Sequence, residues 1–195
     1  MSPVLIAFHK PYGVLSQFNE NPDEPDQRTL AEFSFPEEVF PIGRLDMDSE
    51  GLLLLTDEND IVHQLLHPRF RHRRRYTVQV EGIPNEEALQ TLRSGGLEIR
   101  GYKTLPCRAK LLRGEPDLPP RDPPIRERKN IPTAWITLEL REGKNRQVRR
   151  MTAAVGHPTL RLVRTGIGRL PLGTMAQGEI RELDEKERKQ VLSKP

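Results

Sequence analysis

The stretch 43–56, GRLDMDSEGLLLLT, constrains the fold more than any other part of this 195-residue chain. Its four consecutive leucines, followed by a threonine, predict a buried β-strand over 51–56. The glycines and acidic residues before them predict a turn, which places Asp46 at the mouth of the strand. Because an unpaired ionised carboxylate near a core is costly, we expect Asp46 to have a designated cation or a chemical role.

The same acidic residues also match part of a calcium-binding loop. Asp46, Asp48, Glu50, Gly51 and Asp57 fall at positions 1, 3, 5, 6 and 12 of the EF-hand template. The template fails at its last position, which requires glutamate, and at its ninth position, which is an apolar leucine. A proline and a glycine before the loop also break any entering helix. Calcium binding is therefore the less favoured interpretation.

The net charge of +3 conceals two oppositely charged parts of the sequence. Residues 1–60 contain three basic and thirteen acidic residues, a balance of −10, so the remaining residues carry +13. A strongly basic region made mostly of arginine is typical of proteins that bind nucleic acid phosphates. An ordinary solvated charged surface is the alternative.

Cysteine content and hydropathy predict a cytoplasmic protein with no membrane association. Cys107 is the single cysteine, so no internal disulfide can form, and no Cys/His ligand set for structural zinc is present. The apolar run at 4–8 is too short for a signal peptide. No run approaches the ~18–20 apolar residues of a membrane span.

Local patterns predict an α+β fold with a largely antiparallel sheet, in one domain or two small packed lobes. Strands are predicted over 4–9, 51–56, 76–80 (half-exposed), 108–112, 135–140 and 160–167. Helices are predicted over 59–67, with Ile61, Leu65 and Leu66 inward, from Pro84 to Gly95, over 145–155 and over 183–192. Residues 19–28 and the proline-rich 118–132 are predicted loops.

Two basic segments are candidate RNA-binding sites. Residues 69–75 contain five arginines and a histidine, which repel one another unless an anion neutralises them, so we expect a phosphate-binding loop. A solubilising loop is the alternative. The segment 144–151, KNRQVRRM, places four cations at a predicted helix start, where they oppose the helix dipole unless an anion binds. Arg149 lies at the margin of that helix's apolar face, and Asp46 is its natural carboxylate partner.

The sequence also excludes several kinds of chemistry. Aromatic residues form only 5% of the chain, which disfavours an open stacking platform of the RRM type. Phosphate contacts with one base taken into a pocket fit better. No P-loop, GxGxxG, HExxH or Ser/His/Asp grouping is present, so we expect no nucleotide cofactor and no metal chemistry.

Four phrases, KPYGVLSQF, GRLDMDSEGLLLLT, RRYTVQVEG and EGKNRQVRRMTAAVGHPTLRLVRTGIG, resemble the pseudouridine synthases of ribosomal RNA. The similar members are the A type, which modifies small-subunit RNA, and the B, E and F types, which modify large-subunit RNA. The resemblance covers nearly the whole chain in order. The segment PRDPPIRERKNIPTAW is similar to an insertion of the E type. Many relatives carry a small N-terminal RNA-binding domain, whereas we expect residues 1–195 to be a single catalytic domain without one.

The resemblance implies a pseudouridine synthase fold, a mixed sheet in two lobes with a basic active-site cleft. It implies cofactor-free isomerisation of uridine to pseudouridine in 23S (large-subunit) ribosomal RNA. It makes Asp46 the nucleophile, Tyr76 an aromatic wall of the base pocket, and Arg149 the ion-pair partner of Asp46. From the residues alone, Tyr76 either packs in the core or faces a groove. The residues we expect to bind RNA are Arg44, Arg71, Arg73, Arg74, Arg75, Lys144, Asn145, Arg146, Gln147 and Arg150.

Two questions stay open at this point. The residues do not decide whether Asp46 attacks the ribose, attacks the uracil ring or removes a sugar proton. The alternative function is a non-catalytic RNA-binding or ribosome-assembly module on the same scaffold, which the combination of Asp46, Tyr76 and Arg149 disfavours.

We expect the chain to be a monomer whose partner is large-subunit ribosomal RNA or a pre-ribosomal particle.

Overall fold

A computed structural model describes residues 3–20, 22–125 and 131–193 of the protein. Parts of both predicted loops, residue 21 and residues 126–130, lie outside the described residues. The elements in chain order are β1 Leu5–Lys10, β2 Phe40–Pro41, β3 Glu50–Thr56, α1 Asn59–Leu66, β4 Arg74–Glu81, α2 Glu86–Ser94, β5 Glu98–Ile99, β6 Tyr102–Lys103, β7 Arg108–Leu111, β8 Thr133–Leu140, α3 Gln147–Ala154, β9 Thr159–Ile167, β10 Leu170–Pro171, β11 Ile180–Glu182 and α4 Glu185–Leu192.

The chain divides into two compact units. The second unit is Arg73–Val163, and the first unit comprises the residues before and after it. Strand β9 therefore contributes its residues up to Val163 to the second unit and the rest to the first. Every strand pair whose register is described is antiparallel. The predicted α+β fold with a largely antiparallel sheet is confirmed.

The first unit is built around the leucine-rich strand β3. Strand β1 lies between β11 and β3, with Ala7 opposite Leu54, and β2 pairs with the end of β3. All seven residues of β3 are buried, which is typical of a strand covered on both faces. Phe8 makes edge contacts with the rings of Phe33 and Phe35, at centroid distances of 4.8 and 5.0 Å, in a core that includes Leu53. Helix α1 also contacts β3.

The second unit has its own core on one face of the antiparallel strands β4, β8 and β7. Alternate residues of β8, including Leu138 and Leu140, are buried there with Val78 of β4. Leu92 of α2 and Met151 of α3 belong to the same cluster. The period-two pattern of β8 therefore places its other residues on the opposite face.

Two predicted burial patterns are wrong. Leu66 is 42% exposed rather than inward. Ile61 and Leu65 are four residues apart and share the buried face of α1, whereas Leu66 lies about 100° further round the helix. Strand β4 is not half-exposed at its centre, because Thr77 is buried as well as Tyr76 and Val78.

Two helices begin later than predicted because of their capping residues. Helix α2 begins after Asn85, whose side chain accepts a hydrogen bond from the backbone N–H of Ala88 at 2.8 Å, so Pro84 lies outside the helix. Helix α4 begins after Asp184, which forms a capping box with Glu187. In both cases a short polar side chain satisfies N–H groups that an apolar pattern does not reveal.

Candidate active site

Asp46 lies in a tightly held turn directly before β3. The carbonyl of Asp46 accepts a hydrogen bond from the backbone N–H of Ser49 at 3.0 Å, which closes the turn. Ser16 holds the preceding residue from both sides: its Oγ donates to the carbonyl of Leu45 at 2.8 Å and accepts from the N–H of Leu45 at 3.0 Å. Leu45 is buried in the core, whereas Asp46 is half-buried. The backbone therefore presents the Asp46 carboxylate from a fixed position.

Lys10 supports the same turn from beneath, and its side chain is fully buried. Its Nζ donates to the carbonyls of Val14 at 2.6 Å, Pro11 at 2.8 Å and Met47 at 3.5 Å. The carbonyl of Met47 also accepts from the N–H of Gly13 at 2.8 Å. The sequence motifs did not indicate this role, although Lys10 opens the phrase KPYG. The signal available was a lysine at the end of an apolar strand, followed by a proline and a glycine.

Burial lowers the pKa of Lys10 to about 7. The nearby carboxylates of Glu50, Asp48 and Asp46 act in the opposite direction, and Arg164 adds a smaller lowering effect. Burial prevails because removing an ammonium group from water penalises its charged form. Lys10 therefore titrates near neutrality beside the Asp46 turn.

We expect Lys10 to make the free energy of unfolding rise with pH between about 7 and 10.5. The pKa of Lys10 is about 7 in the folded protein against an ordinary value of 10.5, so within this window only the unfolded state binds the proton. The stability contributed by neutral Lys10 is fully present above pH 10.5, decreases as the pH falls below 10.5, and has been lost once the pH is below about 7. Its slope is ~1.4 kcal/mol per pH unit. Urea unfolding at several pH values measures it.

The control for this prediction is the difference between wild type and Lys10→Met, which cancels the other titrating groups. Lys189→Met, at an exposed position of α4, should keep the wild-type slope. If wild type and Lys10→Met give parallel curves of stability against pH, Lys10 does not titrate in this range.

The residues after Asp46 form a strand rather than a calcium loop, so the EF-hand alternative is wrong. Glu50 and Gly51 already belong to β3 and are buried. Gln177 Nε2 donates to Glu50 Oε1 at 3.0 Å. Gly51 has a φ of +105°, and its α-carbon lies against the backbone of Arg164. Arg164 Nε also donates to the carbonyl of Leu52 at 2.7 Å.

The basic cluster 69–75 is not a single loop, which corrects the sequence prediction. Arg69 and Arg71 are exposed before β4, whereas His72 is buried. Arg74 and Arg75 belong to β4 itself.

Arg73 already has a carboxylate partner within the second unit. Its Nη1 lies 3.2 Å from Glu139 Oε1, and the same oxygen lies 3.5 Å from Nη1 of Arg108. Because Glu139 neutralises part of this charge, Arg73 is less suited to binding phosphate than the exposed Arg71.

Tyr76 belongs to the core of the second unit. It lies opposite Leu138 in the pairing of β4 with β8 and is 8% exposed. Most of the Tyr76 side chain is therefore packed in the core, which is one of the two options that the sequence leaves open. Its expected role in lining a base pocket depends on the small part that stays accessible.

Helix α3 begins at Gln147 rather than at 145, so Lys144, Asn145 and Arg146 precede it. Only Arg149 and Arg150 of the four predicted cations lie in the helix, which corrects the expected cluster in its first turns. Arg146 has a left-handed backbone, with a φ of +51°, and occupies the N-cap position, where its side chain does not cap the helix N–H groups. Arg149 is half-buried, in agreement with a position at the margin of the apolar face.

Gln147 has a structural role that disfavours its predicted contact with RNA. Its side chain is buried, donates to Glu142 Oε1 at 2.6 Å and accepts from the backbone N–H of Lys144 at 3.0 Å. Lys144 and Asn145 are exposed. Arg150 Nη2 donates to Asn145 Oδ1 at 2.7 Å. The accessible polar groups of this segment are therefore those before the helix and at its margin.

Cys107 does not provide an alternative nucleophile. Its Sγ donates to the carbonyl of Leu92 at 3.1 Å. Burial raises the pKa of the Cys107 thiol to about 11, so the thiolate form is scarce at neutral pH. Carboxylate chemistry at Asp46 fits the chain better.

The predicted site residues are divided between the two units. Asp46, Arg44 and Arg71 belong to the first unit, and Arg44 is exposed. The second unit contains the other predicted residues: Arg73, Arg74, Arg75, Tyr76, Lys144, Asn145, Arg146, Gln147, Arg149 and Arg150.

The chain is similar in sequence to known RNA-modifying proteins. The sequence model of the family described as RNA pseudouridylate synthase matches residues 4–154. The chain is 53% identical over 173 residues to Ribosomal large subunit pseudouridine synthase E of Xanthomonas axonopodis pv. citri (strain 306), over 89% of this chain and 90% of the relative. It is 45% identical to the protein of that name from Vibrio vulnificus (strain CMCP6), over 92% of this chain and 74% of the relative.

Solved structures show the same relationship. A crystal structure of a pseudouridylate synthase matches 97% of this chain and 74% of its own, with a TM-score of 0.79 and 26% sequence identity. An H/ACA RNP bound to a substrate RNA containing 2'-deoxyuridine matches 86% of this chain and 48% of its own, with a TM-score of 0.55 and 16% identity, which shows a shared fold alone. The chain therefore belongs to the RNA pseudouridylate synthase family, whose members are isomerases that convert uridine in RNA to pseudouridine.

Proposed function

We propose that the chain isomerises a uridine of 23S (large-subunit) ribosomal RNA, with Asp46 as its catalytic nucleophile. The choice of substrate is supported by the name of the relative that is 53% identical over 90% of its length. The choice of Asp46 is supported by the turn that holds it between a buried leucine and β3, through Ser16, Ser49 and the Lys10 contact to Met47. This fixed presentation of one carboxylate is the observation that carries the proposal.

The isomerisation needs no cofactor, because no electrons are gained or lost. The Asp46 carboxylate assists cleavage of the bond between ribose C1' and uracil N1. The uracil then turns within its pocket and bonds to C1' through its C5, and the hydrogen on C5 leaves as a proton while N1 gains one. We assign Tyr76 to the wall of that pocket and Arg149 as the cation for the Asp46 carboxylate. Exclusion of water protects the cleaved intermediate from hydrolysis.

The target uridine must leave its stack, which costs a few kcal/mol. We propose that basic and polar side chains on both units offset this cost by binding RNA phosphates. The exposed candidates are Arg44, Arg71, Lys144, Asn145 and Arg146, with Arg74, Arg75 and Arg150 half-buried. Lys144 also lies over the ring of Tyr102, with Nζ 4.8 Å from the centroid, so its ammonium group is held at the surface.

Arg71 and Arg73 form a matched pair for testing phosphate contacts. We expect Arg71→Ala to reduce the slope of log affinity against log salt by about 1, because an exposed arginine releases one counterion equivalent on binding phosphate. Arg73→Ala should change the slope less, since Glu139 already neutralises part of its charge. Anisotropy titrations of a labelled ribosomal RNA fragment at several salt concentrations measure both slopes. A larger effect for Arg73 than for Arg71 contradicts this assignment.

We further propose a cytoplasmic monomer that acts on ribosomal RNA or on a pre-ribosomal particle. Among the described residues, no helix combines the length and the apolar character needed to span a bilayer. Cell fractionation and sedimentation of the purified chain test the location and the oligomeric state.

Tritium release from C5-labelled uridine in protein-free large-subunit RNA tests the reaction directly. The isomerisation must release one C5 hydrogen for each uridine converted, so wild type should release tritium in proportion to the pseudouridine formed. A non-catalytic RNA-binding or ribosome-assembly module binds the RNA without release. If protein-free RNA gives none, the same assay on pre-ribosomal particles distinguishes a particle-specific enzyme from such a module.

A further inference from the structure

The sheet of the second unit has one apolar face and one polar face. Ile136, Leu138 and Leu140 of β8 point into the core, and alternate with Trp135, Thr137 and Glu139, which are half-buried on the other face. The alternation follows from the period of two in a β-strand. On this face Thr77 of β4 is buried, whereas Gln79 and Trp135 are half-buried and accessible to an external molecule.

The strand register places Lys110 one row from the indole of Trp135 on this polar face. Rows of residues that are opposite one another across β4, β8 and β7 are Arg75–Glu139–Arg108, Thr77–Thr137–Lys110 and Gln79–Trp135. Successive rows on one face are about 7 Å apart, from a rise of about 3.4 Å per residue. Lys110 is exposed and lies one row from Trp135. A cation and an aromatic ring are thus about one extended nucleotide apart.

Trp135 lies in a cavity of about 700 Å³ formed within the second unit. Gln79, Trp135 and Arg161 line it together with the proline-rich segment around Pro116 and Pro120 and two carboxylates, Glu81 and Glu115. Arg161 is 7% exposed, and its Nη2 donates to the carbonyl of Pro119 at 2.7 Å, which attaches the proline-rich segment to the sheet. The volume is within the range of small-molecule binding sites.

We propose that this cavity, the Trp135 pocket, binds one unpaired nucleotide of the RNA substrate, other than the reacting uridine. The inference rests on the proposed function for the identity of the RNA. The base stacks on the indole ring of Trp135, and Lys110 neutralises an adjacent phosphate. Stacking on an aromatic side chain tolerates any base, so the pocket contributes affinity and register rather than base identity. Because Glu81 and Glu115 line the cavity, the phosphate is assigned to the exposed Lys110 outside it and only the base to the cavity. This cation one row from the indole favours a polyanion over a proline-rich peptide, which is the other ligand that a tryptophan in a groove binds.

Trp135 is the single tryptophan of the chain, so intrinsic fluorescence reports on this pocket directly. The probe is a short single-stranded oligoadenylate, which contains no uridine and cannot react. We expect saturable quenching of tryptophan emission in the full chain. We expect Trp135→Leu to raise the Kd of the fluorescein-labelled oligomer about tenfold in anisotropy titrations, a typical effect of losing one stacked base. Trp135→Phe, which keeps an aromatic ring, should stay within about threefold of wild type.

Charge variants provide the second arm of the test. We expect Lys110→Glu to weaken oligomer binding and Lys189→Glu, an equal change at an exposed position of α4, to leave it unchanged. Bound oligomer with unaltered tryptophan emission, and an unchanged Kd for Trp135→Leu, overturns the proposal. Quenching by a proline-rich peptide but not by the oligomer also overturns it, in favour of a peptide site.

A negative result for the Trp135 pocket can be distinguished from a negative result for the proposed reaction. Tritium release without quenching of Trp135 retains the enzyme and removes the pocket from RNA binding. Quenching by RNA without tritium release from RNA or particles retains the pocket and removes the proposed reaction. Circular dichroism of each variant shows that a loss of binding is not a loss of folding, and quenching of tryptophan emission in the wild-type chain keeps the test available if Trp135→Leu is unstable.

Discussion

Replacing Asp46 by alanine is expected to reduce turnover at least about 1,000-fold, because removal of a nucleophile typically costs several orders of magnitude. The affinity for RNA should stay within about threefold of wild type, since most RNA affinity comes from phosphate contacts. The fold should also survive, because Asp46 is half-buried and its turn is held by backbone groups and by Ser16. Tritium release gives the rate, and anisotropy of a labelled RNA fragment gives the affinity.

Asp48→Asn is the matched control, a carboxylate two residues along in the same turn that is also half-buried. Both carboxylates act on Lys10, so an effect that arises only through the charge around Lys10 should appear in both variants. We expect Asp48→Asn to retain activity within about tenfold. Equal losses in the two variants, or a loss of RNA binding as large as the loss of rate in Asp46→Ala, exclude the nucleophile role.

Replacing Gly51 by alanine is expected to destabilise the protein by about 4 kcal/mol, near the upper end of single-residue effects. The new Cβ would overlap the carbonyl oxygen of Arg164 and lie 2.6 Å from its nitrogen, and both are backbone atoms that cannot rotate away. The φ of +105° adds strain for any residue with a Cβ. Since a typical domain has only ~5–15 kcal/mol of stability, much of it should be lost. Urea unfolding followed by circular dichroism measures this.

Gly173→Ala separates the contact from the backbone strain. Gly173 also belongs to the first unit and has a φ of +63°, but a Cβ there would meet nothing within 4 Å. We expect a cost of about 1 kcal/mol for the left-handed backbone alone. Similar costs at the two glycines mean that the close approach to Arg164 does not contribute.

The elements with strong local patterns were predictable from the sequence. The leucine run gives β3 within one residue, and period-two alternation gives β8, because both patterns depend on which face of a strand is apolar. Helix starts were less predictable, since Asn85 and Asp184 act through single hydrogen bonds to the backbone. An apolar pattern carries no information about such bonds.

The basic cluster 69–75 shows a different limit of sequence reasoning. Six charged or titratable side chains in seven residues look equivalent along the chain, yet folding separates them. Arg71 remains exposed, His72 becomes buried, and Arg73 pairs with Glu139, which is 66 positions away in sequence and adjacent only through the pairing of β4 with β8.

Contiguous motifs and local periodicity were enough to establish the family, the secondary structure around Asp46 and the candidacy of that residue. Tertiary packing was needed to reveal that Lys10 is buried beneath the Asp46 turn and that Gln147 is buried against Glu142. It also revealed that Trp135 lies in a pocket one strand row from Lys110. These facts depend on strand register and on desolvation. Both arise when segments distant in sequence pack together, so no local pattern encodes them.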